Sequence, residues 1–471
     1  MKKILLSLCT LVGTLAFAQQ NKGYETQYST NAINLYSQDI NSGNAKYIGV
    51  GGAVGALGSD INSVEQNPAG LGVAINSDVQ VTAGVSSFKN TTTFGTKLKE
   101  SDSNFDFQQF GGTFVFANDA SKWNRFTVGL AYLNQRLDNY SSIGTNENIN
   151  FNNPNGTFGG YLKDIDGYKS KFSVNLGTSY DDKVYFGLGL NFHETNYSAY
   201  EQYAERNNDN GYTYVYNADG APYNENGQGF SFSLGTIYKI NHNVRLGAAY
   251  HSPVWYNIDK DFYSANFINN GTSVESYYMY STSYDMTRGG RLVGSLGFVV
   301  GKNLSVGADY TYHMNNDTKL KPTRYLSEDN NFINDFVKNS SEIRIGSEYR
   351  IDRFKVRAGY NYITSPYKDF SMDITNENND VTNAAVLSKA FQGDINRVSF
   401  GLGYDFGGFY IDAAYQYQTQ KYKQLIGGTD YIDPDYDNKL NKHYFVTLPE
   451  TYAPKVKLDN NLFLLTLGWQ F

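Results

Sequence analysis

Apolar and polar residues alternate along most of this chain with a period of two residues. The run VYFGLGLNFHE is typical, because one of its faces carries only apolar side chains: Val184, Phe186, Leu188, Leu190 and Phe192. The opposite face of the same run is small or polar. A two-residue period indicates β-strands that show one face to an apolar phase and the other face to a polar phase.

Fourteen strands of this kind are predicted, at residues 77–88, 105–117, 125–137, 170–180, 184–197, 229–240, 244–256, 286–300, 304–314, 341–350, 354–363, 395–406, 409–420 and 458–471. Tight turns alternate with long connections rich in Asn, Asp, Ser and Tyr, at residues 138–169, 198–228, 257–285, 364–394 and 421–457. Short turns at one end, long loops at the other and an even strand number are typical of outer-membrane barrels. The predicted fold class is all-β, a transmembrane antiparallel β-barrel formed by residues 77–471.

The charged residues of these strands fall opposite the apolar stripe. They are Arg245, Arg291, Asp309, Glu342, Arg344, Glu348, Lys355, Arg357, Arg397, Asp405 and Asp412. A charge facing lipid near the bilayer midplane costs about 2–4 kcal/mol, so these side chains are expected to line a polar lumen. The alternative is a soluble protein with one solvated sheet face.

Composition supports the barrel and excludes one class of partner. The chain has 41 Tyr, 30 Phe and 46 Gly residues, and aromatic girdles mark the membrane interfaces of barrels. A net charge of -7 argues against nucleic acid as a partner, because that partner requires a basic face. After residue 18 no run of 18 apolar residues remains, so no membrane-spanning helix is predicted.

Both ends of the chain indicate export to the outer membrane of a Gram-negative bacterium. Residues 1–18 are expected to be a cleaved signal peptide, with two lysines, an apolar stretch and Ala16-Phe17-Ala18 as the cleavage signal. The only cysteine, Cys9, lies within it, so the mature chain has no disulfide and no thiolate metal site. The last strand ends on Trp469 and Phe471 and resembles the signal that barrels present to their assembly machinery.

Residues 19–76 are expected to form a separate unit that folds inside the barrel. The stretch from residue 46 to 76 is too apolar and too rich in small residues for a disordered linker, so it is interpreted as a plug of short turns. Its sequence resembles the N-terminal hatch of the FadL/OmpP1 family, in a Bacteroidetes-type member. The motif residues are Gly51, Gly52, Gly55, Gly58, Asn67, Pro68, Ala69 and Gly70.

The resemblance implies a transporter of long-chain fatty acids or other hydrophobic compounds. It implies capture by the outer loops, transfer to an interior site, movement of the hatch and lateral exit through a gap in the wall. Family members place the gap at an early strand, where Gly111, Gly112 and Gly129 are the candidates here. Expected partners are outer-membrane lipid and a hydrophobic small molecule. Uptake of haem or aromatic hydrocarbons, and a structural or adhesive barrel without transport, remain alternatives.

Five arginines are candidates for binding a substrate carboxylate: Arg245, Arg291, Arg344, Arg357 and Arg397. A guanidinium suits this role, since it donates two parallel hydrogen bonds to one carboxylate. Pairing with lumen acids is the alternative, because Glu342 and Glu348 flank Arg344. His193, His251 and His313 are expected to line the lumen, with haem ligation as the sharper alternative. No metal spacing and no G-x-S-x-G motif occurs, so neither a cofactor nor catalysis is expected.

Overall fold

The computed structural model describes residues 27–118, 121–151, 153–217, 222–267, 274–375, 381–424 and 453–471. Its strands are β1 (Asp78–Phe94), β2 (Thr96–Ala117), β3 (Trp123–Arg136), β4 (Asn139–Ile143), β5 (Asn146–Phe151), β6 (Asn153–Tyr180), β7 (Val184–Asn207), β8 (Thr213–Asn217), β9 (Tyr223–Lys239), β10 (Val244–His251), β11 (Val254–Phe267), β12 (Val274–Arg288), β13 (Arg291–Val300), β14 (Leu304–His313), β15 (Lys319–Lys321), β16 (Ser340–Ile351), β17 (Phe354–Ile363), β18 (Phe370–Thr375), β19 (Val381–Leu387), β20 (Ile395–Asp405), β21 (Phe409–Lys423) and β22 (Lys455–Gln470). Its helices are α1 (Gln27–Tyr36), α2 (Ala45–Gly49) and α3 (Ser327–Phe336), with 3-10 helices at Ile61–Glu65, Pro68–Val73 and Asn315–Asp317.

Neighbouring strands pair antiparallel around a closed ring. The ring closes where β22 pairs with β1, from Asp78 opposite Gln470 to Thr93 opposite Lys455. Some ring positions are filled by consecutive strands, as β10 and β11 both pair with β9. Counted this way, the barrel has 14 positions, and the prediction of a closed antiparallel barrel is confirmed.

Each of the fourteen predicted strands overlaps an observed strand, but the long connections were predicted too long. Strand β6 begins at residue 153 and β7 runs to residue 207, so much of the predicted loops 138–169 and 198–228 is sheet. Parts of 257–285 and 364–394 are also strands, while residues 425–452 of the last loop lie outside the described residues. The sequence hides these extensions because both of their faces carry polar residues, so the apolar–polar alternation is lost.

Large apolar side chains face outward in a band around the barrel. Phe186, Leu188, Leu190 and Phe192 of β7 are all exposed, as their alternation predicts. On β22 the exposed apolar positions are Phe463, Leu465 and Trp469. None of the helices in the described part of the chain is long and apolar enough to cross a membrane.

The N-terminal segment, residues 27–76, contacts strands on all sides of the ring. Helix α2 packs against β20, β21, β22 and β17, while the 3-10 helix Pro68–Val73 packs against β3, β6, β7 and β9. Almost all residues between 42 and 72 are buried. Because these contacts come from opposite walls, this part of the segment lies within the barrel.

Ten inward-facing glycines, one on each of ten successive ring positions, make room for the N-terminal segment. A Cβ at any of them would come within 3.2 Å of an atom of that segment. This glycine belt consists of Gly129, Gly177, Gly187, Gly235, Gly247, Gly297, Gly307, Gly346, Gly359 and Gly401. At most of these positions the backbone of the segment approaches the backbone of the wall directly, whereas side chains of the segment fill the space at Gly129, Gly235 and Gly297.

Helix α1 lies at the end of the barrel that carries the long connections, which we call the outer end. There Ile33 and Tyr36 pack with Ile258, Met286 and α3 in one apolar cluster. The Tyr36 hydroxyl donates a hydrogen bond of 2.9 Å to Glu225. Burial, followed by the charge of Glu225, raises the pKa of Tyr36 well above its usual value, so this phenol stays neutral and keeps donating.

Candidate functional site

The Asn-Pro-Ala motif starts a 3-10 helix that is pinned to the wall. The Asn67 side chain accepts a hydrogen bond of 3.0 Å from the backbone N–H of Ala69, and Pro68 occupies the first turn. The same side chain donates to the carbonyl of Thr236 on β9 at 3.0 Å. A single side chain, that of Asn67, therefore both caps the helix and docks it onto the barrel.

The motif glycines lie where the N-terminal segment turns against the wall. Gly51 and Gly52 have φ of 61° and 75°, and a Cβ on Gly51 would lie 3.0 Å from the backbone N of Tyr360. Gly58 and Gly70 contact each other through their backbones, while Gly55 donates to Asp309 at 3.1 Å. Positive φ and close approach together explain why the sequence is so rich in glycine here.

Three of the five candidate arginines are held by carboxylates. Arg344 pairs with Glu342 at 2.7 Å and donates to the Gln66 side chain at 2.6 Å. Arg291 pairs with Asp39 of the N-terminal segment and donates to the carbonyl of Glu65 at 2.6 Å. These two arginines tie the N-terminal segment to the wall.

Arg357 sits between two acids of neighbouring strands. Its Nε donates to Glu348 at 2.7 Å and its Nη1 donates to Asp412 at 2.8 Å, and the side chain is 1% exposed. A guanidinium enclosed by two carboxylates has no donor face left for a ligand, so Arg357 is a structural residue of the wall.

Arg245 and Arg397 have no carboxylate within ion-pair distance among the described residues. Arg245 donates to the carbonyl of Leu57 at 2.8 Å. Arg397 donates through Nε to Gln418 at 2.7 Å and is 6% exposed. A buried cation without a direct ion pair favours an anionic ligand, since its desolvation is compensated only in part.

A lumen cavity lies between residues 37–52 and the strands β14, β16, β17, β20 and β21. Arg397, Arg344, Glu342 and His313 line it with polar groups. Its apolar lining includes Ile48, Ile363 and Ile395. Of the five candidates, only Arg344 and Arg397 reach this cavity, and only Arg397 does so without an acidic partner among the described residues.

The three candidate wall-gap glycines lie in a continuous hydrogen-bond ladder. Gly111 and Gly112 pair with both β1 and β3, and Gly129 pairs with β2 and β6. Gly129 belongs to the glycine belt, where it makes room for Leu71 and Ile61.

The ladder between β2 and β3 stops immediately beyond these glycines. Gln109 opposite Leu133 is the last pair, and within the described residues no strand pairs with 96–108 on the β3 side. Gln108 is the extra residue of a β-bulge against β1. Beyond Leu133, β3 pairs only with β6. Strand β4 crosses the inner face of the β1–β2 hairpin, where the Thr92 hydroxyl donates to the carbonyl of Ser142 at 2.6 Å. We call this break in the wall the seam.

The part of the seam formed by residues 105–108 of β2 lies at membrane depth. Phe107 is opposite Ala83, and Ala83 is opposite the lipid-facing Leu465. Phe105, Phe107 and Phe110 on the outer side of β2 are 64%, 67% and 59% exposed. The β2 edge of the seam thus presents an apolar lip to the membrane.

The N-terminal segment bridges the seam from inside. Ser42 donates to the carbonyl of Gln108 on β2 at 2.6 Å, and the backbone N–H of Asn41 donates to the side chain of Gln135 on β3 at 2.8 Å. Farther out, Arg136 of β3 lies 3.6 Å from Asp106 of β2. The family resemblance implies a wall gap at an early strand, but no local pattern locates the seam itself, because a bulge at paired glutamines has no distinct sequence signal.

The three lumen histidines each have a protein partner. Nε2 of His193 lies 2.9 Å from Ser231, that of His251 lies 3.1 Å from the carbonyl of Gln66, and that of His313 lies 3.1 Å from Glu342. No cluster of three or more metal-ligating side chains occurs among the described residues.

Trp469 and Phe471 lie at the end of the barrel with the tight turns and face outward. Phe471 extends the ladder through hydrogen bonds with Ser77 of 3.0 and 3.1 Å, and its ring is 72% exposed. The proposed signal peptide and residues 19–26 of the proposed hatch lie outside the described residues.

Comparison with known proteins rests on structure alone. The sequence matches no protein-family model. It also matches no curated protein. A Pseudomonas aeruginosa FadL homologue is similar with a TM-score of 0.57 and 13% identity, covering 91% of this chain and 98% of that one.

Two toluene transporters are similar to a comparable extent. TodX of P. putida has a TM-score of 0.53 and 14% identity, covering 92% of this chain and 99% of its own. TbuX of Ralstonia pickettii has a TM-score of 0.52 and 12% identity, with the same coverage of 92% and 99%. Over nearly its whole length, the protein has the fold of the FadL-family transporters.

Proposed function

We propose that this protein takes up hydrophobic small molecules across the outer membrane, with long-chain fatty acids as its substrates. The substrate enters at the outer end, binds in the lumen cavity and leaves sideways through the seam into the membrane. The observation that carries this proposal is the seam itself, a break in the wall at membrane depth with an apolar lip outside. The names of the similar structures, a FadL homologue and two toluene transporters, support the same class of cargo.

An unpaired strand edge within hydrocarbon is costly unless its backbone groups find other partners. Here the carbonyl of Gln108 accepts from Ser42, and that of Phe107 accepts from Asn134 at 3.4 Å. Side chains therefore replace a strand along this edge. These side-chain hydrogen bonds can break one at a time, whereas the hydrogen bonds of a continuous ladder break together. The seam can therefore open without unfolding the barrel.

The choice of fatty acids rests on Arg397. A fatty acid carries one carboxylate on a long apolar chain, and the cavity offers one unpaired buried guanidinium beside Ile363 and Ile395. Hydrogen bonds to charged groups contribute about 1.5–3 kcal/mol each, enough to select an acid over a neutral hydrocarbon.

Release requires a moving element. Burying a sixteen-carbon chain yields about 0.8 kcal/mol per methylene, about 12 kcal/mol in all, and binding of that strength would retain the substrate. Residues 37–41 line the cavity, and Asn41 and Ser42 bridge the seam. A shift of this continuous stretch would therefore both disturb the site and uncover the exit.

The test is to lock the seam. The mature chain is expected to lack cysteine, so the pair Gln108→Cys and Gln135→Cys can be joined across the seam by a thiol-specific cross-linker with a cleavable disulfide. We expect uptake of labelled oleate by intact cells to fall severalfold on cross-linking and to recover on reduction.

The matched control joins Val115→Cys to Thr127→Cys, which are directly opposite each other in the closed part of the same ladder. Cross-linking this pair should leave uptake unchanged. Equal uptake before and after locking the seam would refute the lateral exit. Uptake no greater than in cells lacking the protein would refute transport and favour an adhesive barrel.

Aromatic hydrocarbons are the second candidate, favoured by the two similar toluene transporters. Competition decides between them: excess toluene should displace oleate poorly if the carboxylate is recognised, and fully if only the apolar lining matters.

A further inference from the structure

The outward faces of four adjacent strands carry a dense group of lysines at the outer end of the barrel. The strands are β21, β22, β1 and β2, in ring order. The lysines are Lys421, Lys423, Lys455, Lys457, Lys89, Lys97 and Lys99. We call them the lysine patch. Alternation places them on the same side as the lipid-facing Phe463 of β22 and Phe105 of β2.

Strand register arranges most of the patch in two rows. In one row, Lys421, Lys457, Thr91 and Lys99 lie side by side across the four strands. The next row outward consists of Lys423, Lys455, Thr93 and Lys97. Neighbouring strands are about 4.8 Å apart, so each row is only about 15 Å wide.

Within these rows, lysines lie directly opposite lysines. Lys421 is opposite Lys457, and Lys423 is opposite Lys455. Like charges opposite each other destabilise a sheet. Among the described outward positions of these four strands, Asp459 is the only carboxylate, and it lies 2.6 Å from Lys457. The excess of positive charge stands out in a chain whose net charge is -7.

The patch lies at the height of the outer headgroups. Tyr415, Phe463, Val85 and Phe105 form the outermost apolar row of the same four strands. The first lysine row is six residues farther along, about 20 Å along the strand, or about 15 Å along the membrane normal at the usual tilt. Lysine side chains reach several ångströms back towards the membrane, which brings their ammonium groups to the outer border of the headgroup layer.

We propose that the lysine patch binds the phosphate groups of a phosphorylated glycolipid of the outer leaflet. Clusters of lysines beside a membrane bind anionic headgroups, and phosphate is the headgroup anion with the highest charge. A phosphate between opposed lysines such as Lys421 and Lys457 removes the repulsion that the bare sheet carries. The lipid's acyl chains would lie along the apolar rows below, beside the apolar lip of the seam.

Native mass spectrometry of the full chain in detergent tests this proposal with two probes, diphosphoryl lipid A and the same lipid with its phosphates removed. The wild-type protein should bind the phosphorylated probe at least tenfold more tightly than the dephosphorylated one. This preference should weaken as salt rises.

The test variant carries four substitutions of patch lysines that have no ion pair shown in the structure: Lys97→Gln, Lys99→Gln, Lys421→Gln and Lys455→Gln. It should lose most of the preference for phosphate. The matched control neutralises four lysines at the tight-turn end instead: Lys122→Gln, Lys183→Gln, Lys239→Gln and Lys302→Gln. It has the same net charge as the test variant and should keep the preference.

Equal binding of both probes by the wild-type protein would overturn the proposal, because contact with the acyl chains alone would then explain binding. So would an unchanged preference in the test variant. The comparison of the two probes uses the wild-type protein only, so it decides the question even if the test variant does not assemble. Failure of fatty-acid uptake would leave this result unaffected, because no step of transport enters the measurement.

Discussion

Arg344 and Arg397 line the same cavity but differ in their partners. Arg344 is paired with Glu342 and held by Gln66, whereas Arg397 donates to the neutral amide of Gln418 and interacts with Glu342 only from beyond ion-pair distance. Alternation along the strands predicts that both side chains point inward. It does not predict which one has an acid beside it, because that depends on the register between strands that are distant in sequence.

The substitution Arg397→Gln separates recognition of the carboxylate from recognition of the apolar chain. It should lower oleate affinity about tenfold or more and leave toluene affinity unchanged, since only the acid uses the guanidinium. Equilibrium binding of both labelled ligands to purified protein measures the two effects. The control Arg245→Gln removes another arginine that lacks an ion pair among the described residues, but one that contacts Leu57 rather than the cavity. An equal loss of oleate affinity in the control would contradict the assignment to Arg397.

At the scale of elements, the fourteen strand positions were predictable because the membrane imposes alternation on each strand that crosses it. The outer extensions were not, since the sequences that begin Asn146–Phe151 and Tyr223–Lys239 carry polar residues on both faces and show no apolar stripe. The glycines of the belt are evident in the sequence, in runs such as FGLGL and RAGYN. Their meaning becomes visible only when register places ten glycines against the N-terminal segment.

The substitution Gly346→Val tests the belt. A side chain there would overlap the backbone of Val50, so it must displace the N-terminal segment or strain the wall, at a cost of about 1–3 kcal/mol or more. We expect a leak, seen as higher ion conductance in planar bilayers.

The control Gly294→Val lies on the same sheet but faces outward, where a Cβ would have no atom within 4 Å. It should have the conductance of the wild-type protein. A wild-type conductance in Gly346→Val as well would show that the segment yields to a side chain at no cost.

At the scale of the whole molecule, polar side chains of the N-terminal segment pair with polar side chains of the barrel wall. Asp39 binds Arg288 and Arg291, Glu65 binds Lys171, and Gln66 binds Arg344. Like these contacts, the seam joins residues that are distant in sequence, so it was not predictable. It results from the path of β4 behind the β1–β2 hairpin, a long-range feature that no local pattern in residues 96–143 records.

Phe471 is expected to act in assembly rather than in stability. Its ring is exposed and its backbone pairs with Ser77, so Phe471→Ser should lower the amount of protein in the outer membrane severalfold while the Tm of the assembled protein stays close to the wild-type value. Immunoblots of membrane fractions and thermal melts of purified protein measure the two quantities.

The matched control for assembly is Phe406→Ser, which also removes an exposed aromatic ring near the tight turns. It should leave the membrane level unchanged. An equal fall in both variants would mean that any rim aromatic serves, and that the last residue has no special role.

Strand β22, which closes the ring, also binds the N-terminal segment. The backbone N–H of Ala45 donates to Thr466 of β22 at 2.8 Å, and Thr466 in turn meets Thr82 of β1 at 2.7 Å. Because the glycine belt lies at contact distance from the N-terminal segment, a closed barrel leaves little space through which that segment could be inserted afterwards. We therefore expect the wall to close around an N-terminal segment that is already in place, so that pairing of the first and last strands depends on correct filling of the lumen.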